Sequence, residues 1–284
     1  MRKNHILVKF FSQKEYASDF LHGKFYMNSL HYFWNEFHQQ SNLSSAQADL
    51  LEGTVGTIQL NSDDKGFMDG MLTDALLRAV GYQYCNVLCF YKLNYITKHK
   101  RNKILIKFPI PKMSECGNYV VIIKNKMEFQ RRIKKSFAGT GFKFICGDIE
   151  YRQLEKSGIP VDISGKHNIV LKADKSLDIP LENLEFGSDC FTKSDVYKNQ
   201  SEWRLAVYRG IKNIGAYKHD IGDLSDIAVL TTADNLVSEI DRLLLCEEIK
   251  KSITKDYGNI NRDEMKKMFY SLGDNKCEMI IFFG

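Results

Sequence analysis

Tyr197-Lys198-Asn199-Gln200-Ser201-Glu202-Trp203-Arg204-Leu205-Ala206-Val207-Tyr208-Arg209-Gly210 is the stretch on which the reading of this chain turns. From Glu202 to Arg209 the residues alternate with period two, and Trp, Val and Tyr suit a pleated surface. The stretch therefore reads as a β-strand entered from a polar loop. Successive strand side chains point to opposite faces. Trp203, Leu205 and Val207 share one face, and Glu202, Arg204, Ala206 and Tyr208 the other. The apolar face anchors the strand while a carboxylate is held at its start, beside the loop. A charge mounted rigidly at a loop mouth suits chemistry. A structural ion pair is the plainer reading of the same residues, because Glu202 and Arg204 are same-face neighbours and such pairs are common in sheets.

Outward from this strand, the 284 residues are 44% hydrophobic and 26% charged, with 18 Phe, 14 Tyr and only 4 Pro. That is the make-up of a globular protein with a sheet-rich core. The formal charge of +5 tolerates nucleic-acid or nucleotide contact without demanding it. The seven cysteines, at positions 85, 89, 116, 146, 190, 246 and 277, form no C-x-x-C pair. Neither a disulfide framework nor a zinc site is indicated. The seven histidines never fall at H-x-x-x-H or H-E-x-x-H spacing, so no metal is expected. No apolar run approaches the roughly 18 residues of a membrane span. Met1 to His5 leads straight into a strand pattern, without a signal-peptide core. The expectation is a cytoplasmic protein with no membrane contact.

Along the chain, His5 to Phe11 is an apolar strand interrupted by Lys9, a residue that is costly to bury unless it meets an anion. Ser12 and Glu15 form a capping box for a helix that ends near His22, with Gly23 closing it. Lys24 to Leu30 is extended, and Thr54 to Leu60 alternates as a strand. Between Asp69 and Val80, Met71, Leu72, Ala75, Leu76 and Ala79 line one face of an expected helix. Asn86 to Tyr91 reads as a strand near the centre of a sheet, and Lys98 to Lys103 as a solvated basic loop. Strands follow at Lys103–Phe108 and Tyr119–Ile123. Phe129, Ile133 and Phe137 then repeat every four residues, marking an amphipathic helix with a basic exposed face. Phe142 to Tyr151 reads as a strand kinked at Gly147, and Met279 to Phe283 closes the chain as another. With no repeat, low-complexity tract or linker, the reading is one α+β domain over residues 1–284. Its sheets are mixed, mostly antiparallel, with flanking helices.

Several of these pieces occur in a characteristic order. They are Lys9-Phe10, Gly23-Lys24-Phe25-Tyr26, Asp49-Leu50-Leu51-Glu52-Gly53, Cys89-Phe90, Gly147-Asp148-Ile149-Glu150-Tyr151, Gln200-Ser201-Glu202-Trp203-Arg204 and Ile221 to Ile227. In this order the chain resembles a large bacterial family of unassigned function with N-D-P-x-E-like and E-x-E-[YW]-R motifs. It departs from that pattern in lacking the proline and in carrying Gln200 in place of the first Glu. The organisation also resembles the ADP-ribosyltransferase-like superfamily. That resemblance implies an enzyme using NAD to modify nucleic acid or protein, as a toxin or phage-defence effector. Glu202 would be the catalytic carboxylate, a fixed anion beside a developing oxocarbenium ion, and Gln200 would orient the acceptor. Lys9 would meet the cofactor phosphates, Tyr26 or Ser29 would support the ribose, and Glu52 and Arg204 would complete the site. Lys9 stands where those enzymes usually carry His or Arg.

Two other readings stand beside this one. In the first, the protein is a catalytically silent binding or sensing domain, with Asp49, Glu52, Glu202 and Arg204 in a structural polar network. In the second, Asp49, Glu52 and Glu202 hold magnesium in a metal-dependent nuclease. Oligomeric state is not legible. Lys9, Tyr26, Glu52, Glu202 and Arg204 are expected to converge, because polar groups that interrupt apolar strands are tolerated when they pair with each other or with a ligand.

Overall fold

The computed structural model describes residues 3–33, 54–58, 75–78, 80–100, 103–109, 116–152, 170–171, 177–178, 189–244, 268–273 and 276–282. It is an α+β protein, mostly antiparallel sheet with few helices. The chain divides into two compact units, each assembled from separated stretches. Unit 1 comprises Met1–Lys24, Phe90–Ile133 and Ile221–Gly284, and unit 2 comprises Phe25–Cys89 and Lys134–Asp220.

Unit 1 contains strands β1 (Lys3–Phe11), β6 (Lys103–Pro109), β7 (Tyr119–Ile123), β15 (Ala228–Thr232), β16 (Met268–Gly273) and β17 (Lys276–Phe282). It also holds most of β5 (Asn86–Lys100), whose first four residues belong to unit 2. They run in the order β15-β7-β1-β5-β6-β17-β16, and the pairings are antiparallel throughout. The strand expected over Asn86–Tyr91 is the first part of the longer β5, which lies inside the sheet order, meeting β1 from Tyr91 to Ile96 and β6 from Ile96 to Lys100. The basic run is a correction: Lys98, His99 and Lys100 are paired strand residues opposite Leu105, Ile104 and Lys103, so the lysines edge a hairpin. Ile6, Val8, Leu93, Tyr95, Val120 and Ile122 bury one sheet face against Leu236, Ile240 and Leu244 of a helix over residues 236–244.

Helix α1 (Lys14–Leu21) starts after Gln13, with no side-chain cap bond, so the capping box expected at Ser12 and Glu15 is not used. Gly23 follows the helix at φ +83°, a left-handed conformation that glycine adopts without strain. A Cβ there would meet the Gly222 carbonyl oxygen at 2.0 Å. This close approach lets Ile221 N–H donate to Gly23 O at 3.0 Å and Leu224 N–H to Leu21 O at 2.8 Å. Two stretches singled out separately in the sequence are thus one docking joint. Beside it, Arg132 of α2 (Lys126–Phe137) grips Asp226 through two bonds of 2.9 and 2.5 Å.

Unit 2 contains β2 (Lys24–Ser29), apart from its first residue, and β3 (Thr54–Ile58), β4 (Ala75–Arg78), β8 (Lys143–Asp148) and β9 (Glu150–Arg152). After these come β10 (Val170–Leu171), β11 (Leu177–Asp178), β12 (Thr192–Ser194), β13 (Glu202–Tyr208) and β14 (Tyr217–Asp220). Residues 75–78 form β4, paired with β3 through Ala75↔Ile58 and Leu76↔Thr57, where a helical face was expected. Short apolar runs do not separate helix from strand by spacing alone, and pairing with a neighbour decided this one. The Phe142 stretch is two strands rather than one, broken at Ile149, whose N–H donates to Glu202 O at 3.0 Å. β13 pairs antiparallel with β8, from Trp203↔Asp148 to Tyr208↔Lys143. Contrary to a one-sided reading of the alternation, β13 is buried on both faces from Glu202 to Val207. Ala206 packs into a core with Leu30, Tyr82, Cys85, Val87, Ile149, Cys190 and Phe191.

Candidate functional site

The start of β13 carries a buried ion network. A short 3-10 turn, Asp195–Gln200, ends at Ser201, whose φ of 43° is left-handed. A non-glycine residue there carries strain of about 1–2 kcal/mol. The bend turns the chain from the helical turn into the strand. It leaves Gln200 and Glu202 both facing the same ammonium, that of Lys193. Lys193 arrives on β12, which runs parallel to β9 with Lys193 opposite Tyr151. That register delivers two partners at once: Lys193 Nζ lies 2.8 Å from Glu202 Oε2, and the Tyr151 hydroxyl accepts the Glu202 N–H at 2.8 Å.

The other carboxylate oxygen belongs to Arg204. Its Nε and Nη2 both donate to Glu202 Oε1 at 2.8 Å, and its Nη1 donates to Cys190 O at 2.7 Å. Lys193 also donates to Gln200 Oε1 at 3.2 Å and lies 5.8 Å from the Tyr197 ring centre. Residue exposures are 5% for Glu202, 5% for Lys193 and 1% for Arg204. Burial pushes the Glu202 carboxyl upward. The Arg204 and Lys193 charges, with hydrogen bonds from Cys89 and Lys193, outweigh it and hold the group at about 2. Burial also raises the Tyr151 phenol, to about 12. The carboxylate is therefore ionised, and both of its oxygens are committed.

Of the expected site residues, Gln200, Glu202 and Arg204 are brought together. Lys9 lies in unit 1, half-buried on β1, with its ammonium 5.5 and 5.6 Å from the Phe11 and Phe90 ring centres. Tyr26 stands on β2 at 56% exposure. Ser29, fully buried at the end of β2, donates from Oγ to Ile214 O and accepts the Tyr32 N–H at 3.3 Å. Asp49 and Glu52 lie outside the described residues. Lys193 and Tyr151 were missed as network members. The signal for Lys193 was available in Cys190-Phe191-Thr192-Lys193, a lysine beside apolar residues, which is the rule applied to Lys9.

Among the described residues no group of three or more His, Cys, Asp or Glu could hold a metal ion, and no helix is long and apolar enough to cross a membrane. No protein-family model, curated protein or solved structure matches the chain.

Proposed function

We propose that this protein is a binding or sensing domain in which Lys193, Glu202 and Arg204 hold unit 2 in one conformation instead of turning over a substrate. The observation that carries this reading is the occupancy of Glu202. Both carboxylate oxygens are held at 2.8 Å by cations, in a residue that is 5% exposed. A carboxylate that stabilises a developing cation needs an oxygen directed at the reacting atom. Here Lys193 and Arg204 already take that role. Satisfied polar networks of this kind rigidify a core and specify a single packing.

The ADP-ribosyltransferase-like reading is kept as a second one because Gln200 and Glu202 converge on a single ammonium, as a paired Q-x-E site needs a shared face. The groups expected to receive NAD do not fit it as they stand. Glu202 is fully engaged, and the Ser29 hydroxyl is buried against Ile214.

Glu202→Gln separates the two readings, because it keeps the shape and removes the charge. Wild type and variant are incubated with labelled NAD and cell extract, and unfolded in urea in parallel. The expected result is no label transfer by either protein and a stability loss of about 3–5 kcal/mol, the usual effect of breaking a buried pair. Label transfer by wild type, lost in a variant of unchanged stability, overturns the structural reading.

A further inference from the structure

The opposite end of β13, roughly 20 Å from Glu202 at the usual strand rise, carries a second arrangement that the buried network does not use. Arg209 follows the strand and Tyr217 opens β14, with the guanidinium carbon 4.8 Å from the Tyr217 ring centre. The ring is itself held in place. Its hydroxyl is 2.9 Å from His219 Nδ1, and His219 Nε2 is 3.0 Å from Ser136 Oγ. The His219 ring stacks on Phe137 at 4.0 Å and 11°, and Phe142 meets Tyr217 edge-on at 5.9 Å. Arg209 therefore rests on a surface fixed by four further side chains, and stacking on an aromatic face preorganises a guanidinium.

The Nε and Nη2 nitrogens of Arg209 are shielded from solvent and donate to no group among the described residues. These two nitrogens form one edge of the guanidinium and present parallel N–H bonds, the pair that grips a carboxylate or phosphate. Arg204 shows that edge in use, directing the same two nitrogens at Glu202. Leaving two charged donors buried and unpaired is costly. Lys212, between the two in sequence, and Lys218, next to Tyr217, are both exposed and add positive charge.

From this we infer that Arg209, mounted on Tyr217, is an oxyanion-binding site that takes a phosphate or carboxylate group along its Nε–Nη2 edge. The adjoining turn, residues 210–216, is exposed throughout, which places this end of β13 at the protein surface. The site is independent of whether Glu202 is structural or catalytic.

The test follows the arginine Nε–H signals of the full chain by nuclear magnetic resonance during titration with sodium phosphate or sodium acetate. Sodium chloride at matched ionic strength is the control. The Arg209 signal, assigned by its loss in Arg209→Lys, is expected to shift saturably with an oxyanion and not with chloride. The anion that saturates at the lower concentration identifies the ligand group as phosphate or carboxylate. Arg209→Lys keeps the charge and removes the edge, and is expected to weaken binding about tenfold, read from the backbone shifts of residues 209–217. No saturable shift of the wild-type Arg209 signal with either anion overturns the inference, whatever the variants do. So does a lysine variant that binds as tightly as wild type.

Discussion

Glu202 illustrates how one residue acquires opposite tendencies from one environment. Burial alone would neutralise it, yet two cations within 2.8 Å keep it charged, at about 2 against an ordinary 4.5. A carboxyl whose folded value is lowered stabilises the fold above its unfolded value, and that stabilisation is lost as pH falls toward the folded value. The window here runs from pH 4.5 down to about 2. The stability gap between wild type and Glu202→Gln should therefore narrow across that window, measured by urea unfolding at stepped pH. A gap that stays constant would show that the charge itself contributes nothing. His219 has the same sign for a different reason. Burial, opposed by the Asp220 charge, lowers its imidazole below the ordinary 6.5. Its neutral form therefore supports the fold above that value and the support fades as pH falls. His219→Phe should remove the part of the stability change between pH 7 and 5 that wild type shows, and an unchanged profile would remove His219 from the account.

At the scale of elements, the joint between α1 and the 221–227 turn depends on backbone and not on side chains. Gly23 sits at φ +83° with the Gly222 carbonyl oxygen 2.0 Å from where a Cβ would lie. Gly23→Ala meets both a left-handed conformation and a backbone clash, so a loss of more than about 2 kcal/mol is expected by denaturant unfolding. The Arg132–Asp226 grip beside it is a contrast. Asp226 is 61% exposed, so Arg132→Ala should cost much less than Gly23→Ala. If the two substitutions proved equal, side chains and not close backbone approach would hold this joint.

At the scale of the whole molecule, both units are built from stretches distant in sequence, and β5 supplies residues to each. Apolar burial is the main support of such a fold, and a chain of this length can bury enough surface unaided. Cys85, Cys89, Cys116, Cys146 and Cys190 are free thiols. Thermal melts with and without reductant or chelator should coincide, and a large drop with either would reveal a disulfide or metal that the fold needs.

The local alphabet of this protein is written in its sequence. Alternation located β13, four-residue repeats located α2, the apolar run at Asn86 marked a central strand, and Gly23 marked the end of α1. Each of these depends on neighbours within a turn or two, so a linear reading finds them. The Glu202–Arg204 pair was legible for the same reason, since same-face strand neighbours meet whatever surrounds them. Tertiary structure alone decided the rest. Residues 75–78 became a strand because β3 offered a pairing partner. Lys193 and Tyr151 reached Glu202 because β12 and β9 pair in parallel. Whether Glu202 faces a cleft or closes on cations depends on which distant residues fill the space around it. Period-two alternation assigns a side chain to a face of the strand, and only packing determines what that face meets.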